Sequence, residues 1–174
     1  MTVGRFCGVA ILAGALIGAT GSGATATDAT GSTSGLPLPR FVSLKSDHVN
    51  VRVGPTKDND VSWVYTRAGL PVEITAEFEN WRRVRDSEGA EGWVYHSLLS
   101  GRRTAVVVMK HKDDLAPLYD RADTTGRVAA RLQDGVVAQV KSCDAHWCRI
   151  TGRGFEGYIE QPRLWGVYPD EKID

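Results

Sequence analysis

From about residue 41 the apolar residues recur in short runs with a period of two, and turn residues break the runs. "VNVRV" (49–53), "LPVEITAEF" (70–78), "WRRVR" (81–85) and "EGWVY" (91–95) read as strands. "EN" (79–80) and "DSEGA" (86–90) suit tight hairpins between them. In the longest run Val72, Ile74, Ala76 and Phe78 are expected on one face, with Glu73, Thr75 and Glu77 on the other, as in a half-buried strand. After residue 26 no stretch of ten residues carries the three-to-four spacing of an amphipathic helix.

The pattern then recurs. "AGLPVEITAEFENWRRVRDSEGAEGWVYHSLLSG" lies over "DGVVAQVKSCDAHWCRITGRGFEGYIEQPRLWG". Gly69 matches Gly135 and Trp81 matches Trp147, 66 residues on. Gly92, Leu99 and Gly101 match Gly157, Leu164 and Gly166 at 65, so the second copy has lost one loop residue. Val51 matches Leu118 at 67. Each unit is about 60 residues, which buries limited apolar surface, so the units are expected to pack together or to carry a staple.

The N-terminal texture is different. Arg5, an apolar run from Phe6 to Ala19 and the small residues Ala24-Thr25-Ala26 have the order of a secretory leader, with cleavage expected after Ala26. The apolar run is shorter than a membrane span and broken by glycines, so no stable membrane insertion is expected after cleavage. The division expected is a leader at 1–26, a Gly/Ser/Thr/Pro linker at 27–40, β units at 41–101 and 104–168, and a tail at 169–174. Lys plus Arg equals Asp plus Glu at 21 each, so no bulk charge argues for nucleic acid or an anionic membrane.

The motif order resembles the bacterial Src homology 3 domain family. "VNVRVGP" (49–55), "GLPVEI" from Gly69, "NWRRVR" from Asn80 and "EGWVYHSLL" from Glu91 carry the likeness. The second copy keeps "HWCRI" and "EGYI" but has "LAPLYDRAD" in place of the Arg-x-Gly-Pro segment. The resemblance implies an all-β protein of two tandem small barrels. It also implies a non-catalytic binding module of exported or envelope proteins, some of which hold cell-wall enzymes to peptidoglycan. The residues make physical sense without it. Gly92 and Gly157, each before an aromatic, suit close backbone approach.

Export leaves Cys143 and Cys148 in an oxidising compartment. Laid over the first copy they fall at Glu77 and Arg82, on adjacent strands flanking the turn at Glu79-Asn80. Opposed residues there have Cβ atoms roughly 4.5–5.5 Å apart, close to disulfide geometry. A thiol oxidoreductase instead spaces its cysteines by two, at a helix start. A zinc site built from Cys143, His146 and Cys148, with His111, would need side chains that adjacent strands do not splay into a tetrahedron. The expectation is a disulfide and no metal or cofactor.

His48, His96, His111 and His146 have no catalytic motif around them, and the chain is read as non-enzymatic. "WRRVR" places Arg82 and Val84 on one face and Trp81, Arg83 and Arg85 on the other, a solvated strand face with ion pairs. The ligand candidates are aromatic: Trp63 and Tyr65, flanking a groove in the first unit, with Asn50, Arg52 and Tyr95 on its polar rim. The competing place for Trp63 is the core. The second unit has Tyr119 but no tryptophan matching Trp63, so it is expected to be a packing partner. The expected ligand is a peptide, including the peptide part of peptidoglycan. The alternative is an accessory subunit that binds another envelope protein.

Overall fold

A computed structural model describes residues 29, 30 and 33–174; the expected leader and its cleavage point lie outside them. The strands are β1 (Ala29–Thr30), β2 (Pro37–Leu38), β3 (Arg40–Leu44), β4 (Val49–Arg52), β5 (Val61–Tyr65), β6 (Pro71–Phe78), β7 (Trp81–Arg85), β8 (Glu91–Tyr95) and β9 (Leu99–Ser100). The second half has β10 (Thr104–Val107), β11 (Leu115–Tyr119), β12 (Val128–Gln133), β13 (Val137–Asp144), β14 (Trp147–Gly152), β15 (Phe155–Glu160), β16 (Leu164–Trp165) and β17 (Lys172–Ile173). Single 3-10 turns at His96–Leu98 and Gln161–Arg163 precede β9 and β16.

The two sheets repeat one topology. One runs β5-β4-β8-β7-β6-β3-β9 and the other β12-β11-β15-β14-β13-β10-β16. The protein is thus an all-β tandem of two small barrels. Their cores use matching repeat positions. Val51, Ile74, Val84 and Val94 are buried in the first, and Leu118, Val140, Ile150 and Ile159 in the second.

The long strand does not alternate throughout. β6 slips register against β7 between Ile74 and Ala76, and β13 slips against β14 between Val140 and Ser142. A bulge of this kind inserts one unpaired residue and exchanges the faces beyond it. Glu77 therefore faces Arg82 and Cys143 faces Cys148, while Phe78 faces Trp81 and turns outward, 49% exposed. Phe78, expected on the core face with Val72 and Ile74, is displaced by that bulge. Beyond it the hairpins turn through left-handed residues at equivalent points, Glu79 (φ 48°) and Ala145 (φ 86°).

Cys143 and Cys148 form the expected disulfide, with Cα atoms 4.1 Å apart. The same place in the first barrel holds an ion pair, with Arg82 Nε 3.2 Å from Glu77 Oε1. Glu77 Oε1 and Oε2 also accept from Ser34 Oγ (2.7 Å) and the Ser34 N–H (2.8 Å), and Arg40 pairs with the same carboxylate. Within the expected linker, Ser34 and Arg40 are anchored on Glu77, and β2 pairs with β1. In the 169–174 tail, β17 pairs with Cys143 and Asp144.

The barrels pack on each other, as their small cores require. Phe41 of β3 meets Trp165 edge-on, with ring centroids at 5.0 Å, and Tyr168 at 4.7 Å. Tyr168 Oη donates to Glu73 Oε1 (2.9 Å), and the same Glu73 pairs with Arg85. Arg103, between the barrels, lies 5.9 Å over the Phe41 ring and donates to both oxygens of Glu171.

Candidate ligand cleft

The five first-barrel candidates divide between two faces of the sheet. Trp63 lies opposite Val51 and Tyr65 opposite Val49, and both pack against the first core. Their rings meet edge-on at 6.0 Å. Trp63 also covers Gly92, where a Cβ would stand 3.1 Å from the ring. Asn50 lies opposite Val64, and Arg52 opposite Trp93, on the other face of β4. Arg52 Nη1 donates to the Asn59 carbonyl and so closes the 53–60 loop. Tyr95 stacks edge-on with Trp81 at 5.4 Å. The structure thus joins Trp63 with Tyr65, and leaves Asn50, Arg52 and Tyr95 apart from them.

Tyr65 Oη donates to Asp86 Oδ2 (3.0 Å). Burial first, then the Asp86 charge, pushes its phenol well above the usual tyrosine range. Tyr65→Phe should cost about 1 kcal/mol, measured by urea denaturation at pH 7. An unchanged midpoint would show that this bond contributes nothing net.

The second barrel carries an opening of its own. A cleft of about 1150 Å³ runs between the Val108–Asp114 loop, the hairpin tip at Ala145–Trp147, the 3-10 turn and the segment Trp165–Asp170. Each side is held by backbone bonds. Val108 N donates to the Arg163 carbonyl (2.9 Å), and Gln161 N to the His146 carbonyl (2.8 Å). At the tip Asp144 Oδ1 accepts from the N–H groups of Trp147 (2.7 Å) and His146 (2.9 Å). Those two bonds hold the Asp144 carboxyl below the usual carboxylate range. Trp147 stands edge-on to Tyr119 at 5.6 Å, so its ring is fixed from one side. Glu160 and Arg163 pair at 2.6 Å on the rim, and His111 and His146 both line the cleft.

The first barrel has the same inner bonds, Lys45 N to the Leu98 carbonyl and His96 N to the Asn80 carbonyl, both at 2.9 Å. It lacks the far wall. After β9 the chain runs straight into β10, whereas after β16 it folds back as Val167–Asp170. A smaller opening of about 220 Å³ lies beside Tyr65 and Asp86, with Val106 of β10 also on its wall, and Trp63 does not line it. Repeat alignment gave no sign of this difference, because the wall comes from residues after the last repeat position. Among the described residues no group of three or more His, Cys, Asp or Glu side chains could hold a metal ion. The disulfide takes the two cysteines that a zinc site would need.

The bacterial SH3 domain profile matches residues 45–101 and 112–166. The chain belongs to the bacterial SH3 domain family. Comparison with curated proteins finds no match. Among solved structures the chain is similar to NlpC1 from Trichomonas vaginalis, at 17% identity and a TM-score of 0.32, over 78% of this chain and 48% of that one. NlpC2 from the same organism gives 16% and 0.32, over 73% and 48%. An NlpC/P60 family protein from Bacillus cereus gives 11% and 0.30, over 72% and 55%. The chain spans about half the length of these proteins. Bacterial SH3 domains are binding modules, so the two barrels are read through the surfaces they offer to a ligand.

Proposed function

We propose that this bacterial SH3 protein is an exported, non-catalytic binding module of the periplasm or cell envelope. It takes a peptide, the peptide part of peptidoglycan, in the cleft of its second barrel. The observation that carries this reading is the cleft itself. Its volume, about 1150 Å³, is of the order of ligand pockets, roughly 300–1,000 Å³. Its hairpin wall presents a tryptophan, the side chain most enriched at binding hot spots. Export is supported by the leader pattern of residues 1–26 and by the disulfide, which persists in oxidising compartments.

The test is co-sedimentation of the purified protein with isolated peptidoglycan sacculi at physiological and high salt. Trp147→Ala, checked for an unchanged melt, should weaken binding about tenfold. Trp63→Ala, run beside it, separates the barrels: loss with Trp63→Ala alone would return the site to the first. No pelleting above a control protein would reject wall binding and favour a protein partner in the envelope.

A further inference from the structure

Two aromatic residues of the cleft wall, Trp165 and Tyr168, are held from outside their own barrel. Phe41 of the first barrel packs on both, and Glu73 of the first barrel accepts the Tyr168 hydroxyl. Neither Phe41 nor Glu73 lines the cleft. The contact is buried on the first-barrel side, with Phe41 at 8% and Glu73 at 4% exposure.

The segment between these anchors has little freedom. Gly166 takes a left-handed backbone (φ 123°), and a Cβ there would stand 2.5 Å from the Thr104 carbonyl oxygen. Arg103 donates to the Gly166 carbonyl (2.9 Å) and to Glu171. Glu171 accepts from the Tyr168 N–H (2.8 Å), and Asp170 N donates to Gln161 Oε1 (3.0 Å). The wall is thus a short loop tied at one end to the junction and at the other to the 3-10 turn. Burial and the bond to Glu73 push the Tyr168 phenol up, so it stays a neutral donor across the physiological range.

We infer that the cleft is a two-barrel site: Phe41 and Glu73 of the first barrel position the Trp165–Tyr168 wall against which a ligand of the second barrel packs. Phe41 and Glu73 are positioning residues, acting through Trp165 and Tyr168. The first barrel is then a scaffold for the cleft of the second. The ligand half of this inference rests on the peptide-binding reading above; the positioning half does not.

The experiment has two arms on the full protein. The first is amide hydrogen exchange by NMR at Tyr168, Asp170 and Glu171, with the Val84 and Ile150 amides as internal controls for each barrel. Phe41→Ala and Glu73→Ala should raise exchange at the three wall amides by about tenfold and leave the controls unmoved. Glu73→Gln keeps an oxygen acceptor for Tyr168 Oη and should stay near the parent. Tyr168→Phe keeps the ring on Phe41 and should give an intermediate rise, which covers the case in which Phe41→Ala unfolds the first barrel. The second arm is co-sedimentation with isolated sacculi, where Phe41→Ala should weaken binding about three- to tenfold without touching the ligand. Wall exchange unchanged in Phe41→Ala and Glu73→Ala would overturn the inference, because the second barrel would then hold its own wall. Faster wall exchange with unaltered binding would overturn its ligand half. If the parent does not bind sacculi, the peptidoglycan reading fails by itself, and the exchange arm still decides who holds the wall.

Discussion

Gly157→Ala should lower the stability of the second barrel by about 3 kcal/mol, the upper end of what overpacking a filled interior costs. A Cβ at Gly157 would stand 2.5 Å from the Tyr119 carbonyl oxygen and 2.8 Å from Leu118 Cγ. Neither neighbour can yield cheaply. Tyr119 is paired with Tyr158 where β11 runs antiparallel to β15, and Leu118 is a fully buried core residue. Gly135→Ala is the control. Gly135 has a left-handed backbone (φ 77°) but open space where its Cβ would go. Its cost is backbone strain alone, about 1 kcal/mol. Urea denaturation at pH 7 measures both. For a unit of this size the larger loss corresponds to a melting point roughly 10–20 °C lower. Equal costs at the two positions would show that the β11–β15 pairing relaxes around an added methyl, and that close approach is not why glycine stands there.

The close approach at Gly157 was legible because a glycine before an aromatic inside an alternating run has few other physical reasons. The repeat was legible for a similar reason: equal spacing of Gly, Trp and Gly-aromatic positions makes the second barrel a copy of the first, and with it fixes the strands of both. "WRRVR" and "EGWVY" are strands over the full lengths read from their alternation. The disulfide followed from the copy, since opposed positions in one hairpin are opposed in the other. Strict alternation failed where the backbone adds a residue. Nothing in "LPVEITAEF" marks Thr75 as the bulge; strict alternation puts Phe78 on the core face and Glu77 on the other, and the bulge exchanges them.

The candidate site was less legible, because its decisive wall is not a repeat feature. Trp165 stands where the first copy has Ser100, and Tyr168 lies beyond the last matched position; their partners Phe41 and Glu73 are about a hundred residues earlier. Local pattern carries no information about contacts at that separation. Aromatic content drew attention to Trp63 and Tyr65, whose rings the structure uses to cover Gly92 and the first core. In the sequence Trp147 is the copy of Trp81. Only the fold-back of Val167–Asp170 turns that position into the side of a cleft.

The bulge also gives the two barrels different staples at one position, and these should respond to different conditions. In the first barrel burial would raise Glu77, but the Ser34 hydroxyl, Arg40, the Ser34 N–H and Arg82 outweigh it and hold the carboxyl at about 2, against an ordinary 4.5. A depressed carboxyl stabilises the fold fully above its unfolded value, and that contribution is lost as pH falls toward the folded value. Glu77→Gln should therefore cost on the order of 2 kcal/mol at pH 6, since it leaves Arg82, itself buried, without its counter-charge. The gap between the parent and Glu77→Gln should shrink below pH 4.5 and vanish near pH 2. Urea midpoints across that range measure it; a gap that stays constant with pH would mean that Glu77 acts by shape and not by charge. In the second barrel Cys143–Cys148 closes a separation of five residues, worth about 2 kcal/mol in the chain-entropy account. Cys143→Ala with Cys148→Ala should remove that amount equally at pH 6 and pH 2.5, because no titrating group is involved. The two staples thus hold one hairpin position by different chemistry, and acid should loosen the first barrel while leaving the disulfide's contribution to the second, and to the hairpin tip beside Trp147, in place.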